Sequence, residues 1–158
     1  KLLIPIAFLL LSCTSSDNKQ TSLKSELNGT VIKIVDGDTF DLLTESNTTI
    51  RIRLNGIDCP EKGQDYYRVA KDALRAFIFQ KEVHLVTFGK DRYGRTKADV
   101  FRNEQNINLL MVRDGFAWHY KKYSSDNEIA NAENNARVAK RGLWVIPNAI
   151  APWDFRHK

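Results

Sequence analysis

The run from Arg53 to Glu61, RLNGIDCPE, sets a guanidinium and two carboxylates beside a stiff turn. Upstream stands Val35-Asp36-Gly37-Asp38-Thr39, and downstream Asp91-Arg92-Tyr93-Gly94-Arg95. A phosphodiester resists hydrolysis partly because its own negative charge repels hydroxide. A site that cleaves it needs positive charge at the nonbridging oxygens and a base near water. The three islands contain those parts: acidic ligands for a divalent cation, a spare carboxylate to activate water, and two arginines for an anionic phosphate. Hard oxygen ligands suit Ca²⁺ or Mg²⁺, whereas His or Cys ligands would be expected for Zn²⁺.

Asp38 and Asp58, from separate islands, are the candidate cation carboxylates. Glu61 is assigned as general base, because a carboxylate not consumed by the cation can take a proton from water. Pro60 forces an extended conformation at Cys59 and stiffens the turn that fixes Glu61. Arg53 and Arg95 can each donate paired hydrogen bonds to phosphate oxygens, a geometry lysine cannot copy. Asp36 reads as a hairpin-turn residue with an outer supporting role, and Arg51 and Lys62 as solvated surface. Arg92 and Tyr93 precede Arg95, and Tyr120-Lys121-Lys122-Tyr123 alternates aromatic and basic side chains, a mixture suited to base stacking with phosphate attraction. Arg92, Tyr93 and Tyr123 are the assigned substrate contacts; Tyr120 is balanced between stacking and packing. His84 and His119 lie outside the islands and receive no catalytic duty, while Trp118, Trp144 and Trp153 read as packing.

In this order the three islands resemble the staphylococcal nuclease (thermonuclease) family, over roughly Asn28 to Trp144. The resemblance implies a Ca²⁺ site of Asp38, Asp58 and the backbone carbonyl of Cys59, where the family pattern has a threonine. It also implies Glu61 as base, Arg53 on the phosphate and Arg95 near the leaving 5′ oxygen. The implied activity is a sugar-nonspecific endonuclease on DNA and RNA that leaves 3′-phosphate products.

These residues must be held by a scaffold that the hydrophobic pattern outlines. Val31 to Val35 is a β-branched run ending at Asp36-Gly37, a hairpin-turn dipeptide, and Phe40, Leu42 and Leu43 return as a second strand. Ile50, Ile52 and Leu54 alternate with Arg51 and Arg53, putting apolar and basic sets on opposite faces of a third. From Tyr66 to Gln80, Ala70-Leu74-Ile78 and Val69-Ala73-Phe77 fall at helical spacing. Strands follow at about Glu82–Phe88 and Arg95–Arg102, then a short helix at Ile107–Arg113. A last helix has a capping box at Ser125 and Glu128 and a stop at Gly142. Five strands with a helix between the third and fourth predict an α+β fold, a five-stranded OB-fold barrel with three helices; its closure is implied by the resemblance.

At 158 residues and 42% hydrophobic content the chain fits one domain, expected at 28–158. A net charge of +5 favours polyanionic partners, and a monomer is expected. Residues 1–12 read as a signal-peptide apolar segment, and Leu10-Leu11-Ser12-Cys13 resembles a lipobox, so Cys13 is the expected lipidation site. The absent initiator Met suggests a slightly longer natural chain. Residues 13–27 read as a polar tether. The expectation is an exported lipoprotein anchored by its lipid to a membrane and facing periplasm or exterior, with a secreted soluble form as the alternative. Cys59 is then a lone thiol, read as packed rather than nucleophilic. Two other functions compete: an OB-fold module that binds nucleic acid without cutting it, and a paired-carboxylate glycosidase, which leaves both arginines without work.

Overall fold

The computed structural model describes residues 24–157. Cys13 and the apolar N-terminal segment lie outside the described residues. Five long strands form the body: β1 (Ser25–Ile34), β2 (Thr39–Thr44), β3 (Thr49–Leu54), β5 (Glu82–Lys90) and β6 (Thr96–Arg102). Two-residue strands β4 (Ile57–Asp58), β7 (Gln105–Asn106) and β8 (Trp118–His119) supplement them. The sheet runs β3-β2-β1-β5-β6-β7, and a parallel pairing of β3 with β6, Ile52 opposite Thr96 and Leu54 opposite Ala98, closes it into a barrel. This is the expected OB-type barrel. Closure removes the free edges that an open sheet of this length would expose.

Period-two alternation sends Val31, Ile34, Phe40, Leu42, Ile52, Leu54, Val83, Leu85, Ala98 and Val100 into the interior, where each is buried. The register of β1 on β2 shifts between Val31 and Lys33, and the intervening Ile32 is left 42% exposed. Such a bulge bends the strand and increases its twist, which helps a short sheet curl.

Helix α1 (Tyr67–Ile78) buries Ala70, Leu74 and Ile78 against this core. Of the two stripes at helical spacing, the second packs on the edge of the core through the half-buried Ala73 and Phe77, while its first residue, Val69, is exposed. Helix α2 (Ile107–Arg113) matches its predicted span and packs on α3 (Asn127–Val138) and β6. The cap of α3 is Asp126 rather than Ser125: its carboxylate accepts from the backbone N–H of Glu128 and Ile129.

Three further differences concern the chain ends. Strand β1 begins at Ser25, so residues expected in the tether are paired with β5, Ser25 opposite Thr87. Helix α3 stops at Val138, and Gly142 opens a 3₁₀ turn (Gly142–Val145) instead of ending the helix. Gly142 stands where a Cβ would sit 2.3 Å from the Gly115 carbonyl oxygen, so only glycine permits the approach that lets the Leu143 N–H reach that oxygen at 2.8 Å. A fourth α-helix, α4 (Pro152–Phe155), closes the described chain. Around it Trp118, Leu143 and Ala151 form a second buried cluster with Tyr66, Trp144 and Trp153 packed on it.

Candidate active site

Arg53 is the penultimate residue of β3, Asp38 ends the β1–β2 turn, and Asp58 lies in β4, which pairs with β8. Thr39 sits opposite Arg53 in the ladder, and the Leu54 N–H donates to the Asp38 carbonyl at 2.9 Å. Two sequence islands separated by a strand pair are thereby fixed against each other. Gly37 tightens the junction: a Cβ there would lie 2.8 Å from the Cys59 Cβ and 3.0 Å from the Ala70 Cβ. The buried Asn108 of α2 holds the far side. Its amide nitrogen donates to the Asn55 and Ala98 carbonyls at 2.9 and 3.1 Å, and its oxygen accepts from the Val100 N–H.

The Arg53 guanidinium is the hub. Nη1 donates to the Leu54 and Ile57 carbonyls at 2.7 and 2.9 Å. Nη2 lies 2.8 Å from Asp58 Oδ1 and 3.1 Å from Asp38 Oδ2. The Cys59 backbone N–H donates to the same Asp38 oxygen at 2.8 Å. Asp38 and Asp58, expected to share a cation, thus already share one nitrogen. The donor set is oxygen-only, as a hard cation requires. Among the described residues no three His, Cys, Asp or Glu side chains gather into a metal cage. The expected site needs only two carboxylates, its third donor being the main-chain carbonyl of Cys59.

Burial dominates the electrostatics. It raises the Asp58 carboxyl above its usual range despite Arg156 and Arg53. Burial, with the neighbouring Asp38 charge, pushes Asp36 to about 7. Asp36 has the outer role expected of it, accepting from the Asp38 N–H at 3.1 Å. Burial opposes the charge on Arg53, but Asp38 and Asp58 outweigh it and raise its pKa. The Cys59 thiol is buried and pushed well up by that burial, so it is a packed side chain and no nucleophile at neutral pH.

Arg95 reaches the site from the β5–β6 loop. Asp91 accepts from its backbone N–H at 3.0 Å and its Nε at 2.7 Å, leaving the outer nitrogens of the fork toward Thr39 Oγ1, 3.4 Å from Nη1. Although burial works against it, hydrogen bonding to Arg95 and Tyr93 lowers the Asp91 pKa. Tyr93 is 67% exposed, with the guanidinium carbons of Arg92 and Arg95 4.8 and 5.3 Å from its ring centre. It borders a depression of about 340 Å³ that also takes in Thr49, Arg51 and Gly94. Arg51 is not freely solvated but paired to Asp41 at 2.8 Å. A wider depression of about 980 Å³ between Asn28, Glu45, His84 and Glu104 contains none of these groups.

Tyr123 is also exposed, standing edge-on to Tyr120 with ring centres 4.8 Å apart. The structure resolves Tyr120 toward packing: it stacks on Trp153, 5.2 Å away with planes 6° apart. His84 bonds Asn28, and His119 is buried and pairs along the backbone with Ile57 of the Arg53–Glu61 island.

Sequence reasoning assigned nothing to Arg156. It follows α4, and its Nη2 lies 2.8 Å from Asp58 Oδ2 while Nη1 contacts Asp58 Oδ1 at 3.4 Å and pairs with Glu61. The only hint in the sequence was Pro152-Trp153, a proline-started turn with an aromatic anchor just before it.

A closed barrel carrying arginine-backed carboxylates from three segments is the layout of an OB-fold nuclease. Residues 51–145 match the family described as Staphylococcal nuclease homologue, and the chain belongs to that family. It is 46% identical over 128 residues to an "Uncharacterized endonuclease" of Haemophilus influenzae, covering 81% of this chain and 72% of that protein. It is 39% identical over 143 residues to "Micrococcal nuclease" of Shigella flexneri, covering 84% and 82% respectively. A second "Uncharacterized endonuclease", of Escherichia coli O157:H7, is 39% identical over 137 residues, covering 86% of this chain and 89% of that protein. The protein is a nuclease. The family match begins at Arg51, so Asp38 enters the site through its contacts with Arg53 and Cys59.

Proposed function

We propose that this nuclease is a Ca²⁺-dependent endonuclease that cleaves DNA and RNA with little sequence preference and leaves 3′-phosphate ends. The observation that carries the reading is the convergence of Asp38 and Asp58 on a single nitrogen of Arg53, with Glu61 beside them across Arg156. Asp38, Asp58 and the carbonyl of Cys59 would hold the cation, which when bound supplies positive charge to a nonbridging phosphate oxygen.

The chain's own groups account for the remaining chemistry. Glu61 takes a proton from water as the water oxygen bonds to phosphorus and the bond from phosphorus to the 5′ oxygen breaks. The phosphate stays on the 3′ oxygen of the upstream fragment, and the 5′ oxygen of the downstream fragment leaves and takes a proton from solvent water to become a hydroxyl. Arg53 and Arg95 hold the charge that builds on the phosphoryl oxygens, each such donor being worth roughly 3–4 kcal/mol in the transition state. Arg92, Tyr93 and Tyr123 bind the strand through phosphate attraction and stacking, contacts that read no base sequence. Single-stranded or unwound substrate is favoured, because stacked bases must open to reach the tyrosines.

Export with a lipid on Cys13 fits the same reading, an enzyme that meets nucleic acid outside the cytoplasm as a tethered monomer. Metabolic labelling with a fatty acid, lost in Cys13→Ala, tests that part. For the chemistry, plasmid DNA and RNA are digested with added Ca²⁺ or with EDTA, and the ends are analysed. The reading expects cutting that needs Ca²⁺ and yields 3′-phosphates. Equal cutting under EDTA, or none with excess Ca²⁺, overturns it.

A further inference from the structure

Asp58 has no oxygen to spare for a cation in this structure. Arg53 takes Oδ1 from below, and the Arg156 fork covers Oδ2 while extending to Glu61. The two arginines are held differently. Arg53 has an 11% exposed side chain and is bound to two main-chain carbonyls. Arg156 has a 37% exposed side chain and, among the described residues, faces besides these carboxylates the Tyr120 ring, 6.0 Å from its centre. Arg156 is the one that can turn.

Its backbone, in contrast, is placed deliberately. Trp153 packs edge-on to Trp118 and stacks on Tyr120, and the Arg156 N–H donates to the Pro152 carbonyl at 3.1 Å. Gln64 fastens the same segment to the catalytic turn: its Nε2 donates to the Ile150 carbonyl at 3.0 Å, and its Oε1 accepts from the Glu61 N–H at 2.7 Å.

We propose that Arg156 is a third phosphate-binding guanidinium of this nuclease, parked on Asp58 and Glu61 until cation and substrate arrive. The inference rests on the reading of Asp38 and Asp58 as cation ligands. Charge balance supports it. Asp38, Asp58 and Glu61 against Arg53 and Arg156 leave these five side chains one net negative charge, with Arg95 offset by Asp91. A divalent cation turns this to one positive charge, which matches a single phosphodiester. Without Arg156 the cation-loaded site would be neutral and the substrate complex negative. When the cation claims Asp58, the displaced guanidinium stands between the cation carboxylate and the base, where the scissile phosphate must lie. The phosphate is an anion that can replace the lost Asp58 carboxylate, and a fork matches its paired oxygens.

The proposal requires opposite effects on two affinities. Calorimetry on wild type, Arg156→Ala and Arg156→Gln would titrate Ca²⁺ alone, then a deoxynucleoside 3′,5′-bisphosphate in saturating Ca²⁺. Removing the parked cation should tighten Ca²⁺ binding, roughly threefold to tenfold for a partly exposed pair. Nucleotide binding should weaken by about tenfold or more, and Arg156→Lys should fall between. A prop for the turn would weaken both affinities, and a bystander would change neither; each result overturns the proposal. Asp58→Asn in the same titration separates the two claims. Undiminished Ca²⁺ binding there removes the cation reading itself, whereas its loss alongside an Arg156→Ala protein weakened in both steps removes only the role of Arg156.

Discussion

Replacing Arg53 with lysine keeps the charge and removes the fork, so it separates two duties carried by one side chain. In the structure one terminal nitrogen serves the Leu54 and Ile57 carbonyls and the other serves Asp58 and Asp38. An ammonium is a single point and cannot reach both pairs. Drawn to the carboxylates, it leaves two carbonyls unpaired in a site where the replaced side chain is 11% exposed. Each orphaned acceptor costs roughly 1–3 kcal/mol, so Arg53→Lys should lose about 2–6 kcal/mol of stability. For a chain of this size that corresponds to a melting temperature roughly 5–20 °C lower. Loss of the paired phosphate contact should also reduce the cleavage rate by about a hundredfold to a thousandfold. Thermal unfolding by circular dichroism, with cleavage measured well below both transitions, reads the two effects separately. A melting temperature unchanged to within about 1 °C would refute Arg53 as the pin of the turn, and an unchanged rate would refute the fork on phosphate.

Glu61→Gln should slow turnover by roughly a hundredfold to ten-thousandfold while Ca²⁺ and nucleotide still bind in calorimetry; lost binding would make Glu61 structural instead. Burial raises the Asp99 pKa against the hydrogen bond from Asn55. Its stabilising contribution is therefore full below the ordinary carboxyl pKa and is lost as pH rises through the raised value. Asp99→Asn should melt above wild type at about pH 7, with the difference closing toward about pH 4; the reverse trend contradicts this. Trp153→Ala removes the platform under Tyr120 and should cost about 1–3 kcal/mol in denaturant unfolding. Because it also frees the turn before Arg156, cleavage should fall at temperatures where the variant is fully folded, and full activity there would disconnect the two.

Side-chain periodicity carried the barrel a long way. Ile52 and Leu54 face inward and Arg53 outward because the strand period is two, and Ala70, Leu74 and Ile78 line one helix face because the helical period is 3.6. The islands met because they bracket the strands that pair, Thr39 opposite Arg53. The differences arose where tertiary partners decide. Ser25 and Glu26 have no apolar signal, yet β5 supplies their hydrogen bonds, and the Ser25 hydroxyl lies 2.7 Å from that of Thr87. Ser125 and Asp126 are both good caps, and local geometry chose the aspartate. Asn108 carries no signal of its own in a short helix, because its role is set by three main-chain partners from Asn55, Ala98 and Val100. Arg156 lies 95 residues from Glu61, just after a four-residue helix too short to generate periodicity. No spacing rule could connect it to the site.

A crystal structure with Ca²⁺ and a bound nucleotide tests the central claim most directly. One ion is expected at about 2.3–2.6 Å from oxygens of Asp38, Asp58 and the Cys59 carbonyl, with Glu61 next to it and outside its ligand set. An ion bound elsewhere, or Asp38 and Asp58 still joined only through Arg53 at saturating Ca²⁺, would contradict it.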